Sequence, residues 1–292
     1  MRGWWTLFRW EFYKVARRPS SYVGFALGVI FCVLVMIALA MSPMRALQHH
    51  AVGLVEDPRS YVNGYFYSLF VLFFAYKSLL PLLAGIIPGA QIAGEAKDGT
   101  LRLLLTRPPS RTAIFFTKLL VSYLWVLLTI YFLIFFALVL GWLLIGGGEF
   151  LVFVWAFRQQ GPWLAPDWAW LPMFLLTGFG ASLGLLIVVA FSLSLSALTD
   201  NPVVAYVGAL GGFFISSIIQ RLPEQILHPM LQRIMPTTHI EFWHELYWVF
   251  HPETEAHFNT YRFVSDLKWC GMYTVAFLLV GLIAFLRKDI KS

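Results

Sequence analysis

The chain is 292 residues long, 59% hydrophobic and only 12% charged by residue type, with a net charge of +6. Too little polar surface is available to cover a water-soluble globule of this size, so lipid is the solvent for much of the chain. The positive charge is gathered in a few connections between apolar runs, and it gives no reason to expect a nucleic-acid partner.

Residues 3–18 form the first expected element, an amphipathic helix. Trp4, Trp5, Phe8, Phe12, Val15 and Ala16 share one charge-free arc, while Glu11, Lys14, Arg17 and Arg18 fall on the other side. Such a helix lies in the headgroup plane, as an anchor or as a grip for a partner, and Pro19 ends it. Six long apolar runs follow, at about 21–41, 66–89, 114–144, 171–198, 203–219 and 267–286. Each is near or above the roughly 20 residues that cross about 30 Å of hydrocarbon. Lipid cannot satisfy backbone groups, so these runs are helices; barrel strands would be shorter and would alternate apolar with polar. The expected fold class is an all-α integral membrane protein, one transmembrane domain over residues 1–292.

Lys and Arg set the orientation. Arg2, Arg9, Lys14, Arg17 and Arg18 precede the first run; Lys97, Arg102, Arg107, Arg111 and Lys118 surround the connection at 91–112; Arg287, Lys288 and Lys291 close the sequence. Those regions are expected on the cytoplasmic side, with both termini. The 91–112 connection carries Leu101, Leu104 and Leu105 on one helical face, which needs the membrane surface, the first helix or another protein as a neighbour. Within the second run Lys77 stands alone at a depth where a charge costs on the order of 2.5–3.5 kcal/mol. It either faces a pathway and attracts an anionic or lipid-headgroup cargo, or it is paired with backbone beside a polar crevice.

The fourth and fifth runs are joined only by Thr199-Asp200-Asn201-Pro202, which predicts a tight antiparallel hairpin. Gly180 and Gly184, with Gly208 and Gly212 across from them, have the spacing of closely packed helices. The outer segment 220–266 is expected to hold a short helical hairpin at 223–250, its second helix opened by a Thr238/Glu241 capping box. Trp243, Tyr247 and Trp248 would hold it at headgroup depth as part of an outer gate. The sequence contains no phosphate-binding loop, no nucleophile elbow, no pair of buried acids and no metal-type cysteine spacing. No catalytic or metal site is therefore expected, and the chain has no evident energy source of its own. An ion-driven secondary transporter or a lipid-modifying membrane enzyme are the alternatives open to the residues alone.

The run Gly94-Glu95-Ala96-Lys97-Asp98-Gly99-Thr100-Leu101, with Leu103-Leu104-Leu105, Ser110-Arg111 and Lys118 after it, resembles the cytoplasmic loop of type-2 ABC exporter permeases. The six-span layout, the preceding amphipathic helix and the closing Phe285-Leu286-Arg287-Lys288-Asp289 are similar as well, although Pro108-Pro109 replaces a more usual single proline. The resemblance implies a permease subunit in a bacterial-type plasma (inner) membrane, paired with a second copy or a paralogue and served by two separate ATP-binding cassette ATPase subunits. It implies ATP and Mg in those partners and no cofactor in this chain. It further implies coupling to the ATPases through Glu95, Gly99, Thr100, Leu101, Leu104, Leu105 and Arg111 together with the first helix, and a path lined by the second and fifth spans.

Overall fold

The computed structural model describes residues 2–41, 62–101, 109–152, 163–222, 228–251, 253 and 258–288. Helix α1 (Arg2–Arg17) runs into α2 (Pro19–Met41), with the break at the residue before Pro19. Next come α3 (Gly64–Lys77), α4 (Leu79–Gln91), the short α5 (Ala93–Lys97) and the long α6 (Arg111–Leu144). A two-residue antiparallel ribbon, β1 (Leu151–Val152) with β2 (Trp163–Leu164), leads to α7 (Trp170–Leu198). Asn201 caps the Val203 N–H at 3.0 Å and Pro202 fills the first turn, which turns the chain directly into α8 (Pro202–Arg221). After α9 (Pro229–Ile234), two 3₁₀ segments at Pro236–Thr238 and Ile240–Phe250 precede α10 (Thr260–Arg287).

Six helical stretches among the described residues are long and apolar enough to cross a membrane: Pro19–Met41, Leu79–Lys97, Arg111–Leu144, Asp167–Leu198, Pro202–Arg221 and Thr260–Arg287. The expected second run, 66–89, is not one helix. It breaks at Ser78, whose hydroxyl turns back to the Phe74 carbonyl at 2.7 Å. Pro81 supplies the cause, because it has no N–H for the Lys77 carbonyl and its ring crowds that carbonyl.

Helix α7 is the most deeply buried of the long helices, whereas α2, α8 and α10 keep most of their residues at least partly exposed. Serines along α7 hold α4 by its backbone. Ser192 donates to the Gly85 carbonyl at 2.7 Å and Ser196 to Gly89 at 2.7 Å, while Ser196 also accepts the Ile92 and Ala93 N–H groups. These bonds satisfy polar groups that lipid would leave unpaired. The Gly180/Gly184 spacing serves a different partner from the one expected. It seats the Ile240–Phe250 segment, since a Cβ on Gly184 would lie 2.4 Å from the Ile240 carbonyl and one on Gly180 2.5 Å from Leu246. Gly208 and Gly212 do face α7, through Leu195 and Phe191.

The capping box expected at Thr238/Glu241 does not form. Thr238 spends its hydroxyl on the Gln232 carbonyl at 2.6 Å, and the following segment is 3₁₀ rather than α-helical. Trp243, Tyr247 and Trp248 are buried, 0%, 2% and 2% exposed, and Trp243 packs against Gly180 of α7. Cys32 and Cys270 are both free and buried.

Candidate functional site

A group of four interlocked charges lies where α1, α5 and α6 meet. Glu11 and Val15, with Leu7, sit on the buried side of α1 at spacing of four residues. Glu95 projects from α5 and Lys118 from the second turn of α6. The Lys118 ammonium is 3.0 Å from Glu11 Oε2 and 2.8 Å from Glu95 Oε1; the Lys14 ammonium is 2.6 Å from Glu11 Oε1 and 2.8 Å from the same Glu95 oxygen. The charges cancel, and each ammonium bridges both carboxylates. Lys118 has a fully buried side chain and Glu11 and Glu95 nearly so, whereas Lys14 is 37% exposed. Burial works against the Lys14 charge, but Glu95 and Glu11 beside it outweigh that and raise its pKa above the ordinary lysine range. Sequence reasoning found Glu95 here but placed Glu11 on the solvated side of α1. Charged residues at i and i+3 on one helix look like a surface pair until a third charge from elsewhere is seen to bury one of them.

The residues that follow Glu95 divide into an exposed tip and a buried base. Lys97, Asp98, Gly99 and Thr100 are exposed, and Gly99 takes a left-handed φ of 70° that lets the chain reverse. Leu101 turns inward instead, 3% exposed, into a cluster with Leu7, Ile92, Ile114, Phe115 and Phe285. Its neighbour is thus the first helix and the bundle itself. Leu104 and Leu105 lie outside the described residues. Arg111 reaches the end of α10, donating to the Leu286 carbonyl at 2.9 Å, and Lys288 reaches Thr199 O and Asp200 Oδ1, each at 2.8 Å. Two cations therefore cap two helix C-termini, a favourable placement against the helix dipoles. Leu7 of α1 and Phe285 of α10 meet in that same cluster.

A second polar group lies near the Ser78 break. The Lys77 ammonium is 3.2 Å from Glu241 Oε1 and 3.4 Å from Oε2, and stands 4.7 Å from the centre of the Phe73 ring. In a 3₁₀ helix residues three apart eclipse, so Glu241 and His244 stand together, 3.8 Å apart, on one edge of the segment. Burial, with the Lys77 and Arg262 charges behind it, lowers the His244 pKa to about 3 and keeps the ring neutral. Tyr76, next to Lys77, donates to the Ile240 carbonyl at 2.7 Å and so ties the segment to the level of the break. Sequence reasoning singled out Lys77 without its partner, which sits 164 residues away.

A family model described as ABC-2 family transporter protein matches residues 7–197, a stretch that runs from α1 through α7 and contains the whole four-charge group. No curated protein matches the chain.

Proposed function

The chain belongs to the ABC-2 transporter family, and on that premise we propose that it is the permease subunit of an ABC exporter, driven by separate ATPase chains. The observation that carries this reading is Glu95, held by Lys14 and Lys118 directly beneath an exposed loop tip. A subunit with no nucleotide-binding loop of its own needs a surface that receives motion and a rigid path that passes it on. Lys97 to Thr100 offer the surface, with Gly99 and Thr100 at its turn. Glu95 and Leu101 are the path: one pulls on α1 and α6 through ion pairs, the other pushes on the cluster around Phe115 and Phe285. Arg111 acts inside the permease, as a clamp between α6 and α10. Leu104 and Leu105, outside the described residues, are assigned to the same ATPase contact by the family resemblance alone.

In the assembly two permeases, copies or paralogues, meet two ATPases that bind ATP and Mg. Both termini and the four-charge group face the cytoplasm of a bacterial-type inner membrane, and the Ile240–Phe250 segment, with Trp243, Tyr247 and Trp248 at its core, closes the opposite end of the path. The ATPase shifts the permease between states only by binding them unequally. Affinity purification of the chain from native membranes tests the reading. A stoichiometric ATPase subunit is expected, with hydrolysis that cargo stimulates in the wild type and not in Glu95→Gln. Purification without an ATPase, or equal stimulation in the variant, counts against it.

A further inference from the structure

Lys77 and Glu241 form an ion pair midway along the α3–α4 run, yet their side chains are 30% and 28% exposed. A charged pair left exposed is costly against hydrocarbon, so this face of α3, at its junction with the Leu79–Lys97 stretch, borders something other than lipid tails. The neighbouring surface is aromatic. Phe70 and Phe74 lie one turn apart with ring centres 4.5 Å from each other, Phe74 is 37% exposed, and Phe73 sits beneath the ammonium. An ammonium has three donors, and among the described residues this one meets only the Glu241 carboxylate and the Phe73 ring. With 30% of its side chain exposed, the ammonium can take a second acceptor beside this aromatic shelf.

We propose that the Glu241 carboxylate stands where the anionic headgroup of the cargo binds, so that this site takes an amphiphile with one phosphate or carboxylate group at Lys77 and its apolar body on Phe70 and Phe74. The inference rests on the permease reading and gives it a substrate class. Glu241 belongs to a different part of the chain from Lys77, so the exchange has a structural consequence. When cargo takes the ammonium, the Ile240–Phe250 segment loses its ion pair to α3, keeping the Tyr76 bond to the Ile240 carbonyl. Binding at Lys77 thereby loosens the segment over the distal end, and the leaving carboxylate has His244 of its own 3₁₀ edge beside it.

The test is a binding titration on the purified chain in nanodiscs of zwitterionic lipid, read by thermal stability. Dodecyl phosphate is expected to bind saturably. A hydrogen bond to a charged group is worth about 1.5–3 kcal/mol, so Lys77→Met should weaken it at least tenfold, roughly, and Lys77→Arg should retain it. Glu241→Gln removes the internal competitor and should tighten binding. Equal affinity in wild type and Lys77→Met, weaker binding in Glu241→Gln, or equal binding of dodecyltrimethylammonium would overturn the proposal. Inorganic phosphate binding as tightly as dodecyl phosphate would remove the apolar shelf from it. Phosphatidylglycerol added to the nanodisc separates the sources, since competition that disappears in Lys77→Met assigns a membrane lipid. Binding needs no ATPase, so loss of the ATPase association leaves this result standing, and failure of the titration leaves the permease reading standing.

Discussion

Lys118 is the residue on which the four-charge group depends. Its side chain is inaccessible, and without it Glu11 and Glu95 would share one half-exposed lysine. Removing one partner of a buried pair exposes the other to an unpaid desolvation cost, so Lys118→Met should lower the unfolding free energy by about 3–5 kcal/mol. Lys14→Met should cost clearly less, because its 37% exposed ammonium already shares its carboxylates with water and with Lys118. Denaturant titration in mixed micelles measures both, and equal costs would contradict the burial argument. At this scale the sequence showed residue types without neighbours. A helical wheel gives the angle of Glu11 on α1, but its fate was decided by Lys118, 107 positions further on.

At the level of elements, the segment at Ile240–Phe250 depends on a groove rather than on its own helical preference. Gly184 makes the groove, since a Cβ there would lie 2.2 Å from the Tyr76 hydroxyl and 2.4 Å from the Ile240 carbonyl, one of them backbone that has nowhere to go. Gly184→Val should therefore cost about 1–3 kcal/mol through overpacking and accelerate amide hydrogen exchange over 240–250. Gly211→Val, at a position with nothing within 4 Å, is the control and should leave exchange there unchanged. Unaltered exchange in Gly184→Val would mean that the segment is held elsewhere. The glycine spacing and the aromatic density were both legible in the sequence, but not that Gly180 and Gly184 face Ile240–Phe250 or that Trp243, Tyr247 and Trp248 are buried. Small residues announce close approach without saying of what, and aromatic rings fill a protein groove as readily as a headgroup layer. The break in the second run was written in Pro81 and passed over because hydropathy continues smoothly through it.

For the molecule as a whole, the face that gathers Leu7 of α1, Phe285 of α10, the Glu95 loop tip and the caps by Arg111 and Lys288 is proposed to be cytoplasmic. A cysteine at the exposed Asp98 should then resist a membrane-impermeant thiol reagent in intact cells, and one at Glu253 should react; Cys32 and Cys270 are buried and add little background. The opposite labelling pattern would reverse the orientation. The caps also join α6 to α10 and α10 to the α7–α8 turn, so this end is stapled across most of the bundle by charge, while the distal end is held by the short segment on α7 and its bonds at Lys77 and Tyr76.

The sequence by itself determined that the chain is a helical membrane protein with six stretches long and apolar enough to cross, where the α7–α8 turn falls, and which loop carries the family pattern. Each of these follows from local composition: the apolar length a bilayer demands, the turn chemistry of Asn201-Pro202, the order of residues around Glu95. Only the tertiary structure decided which charges meet. Pairs such as Lys118 with Glu11 and Lys77 with Glu241 are set by how helices far apart in the chain pack side by side, and a low-polarity interior makes such pairings matter most where periodicity along a single helix says least.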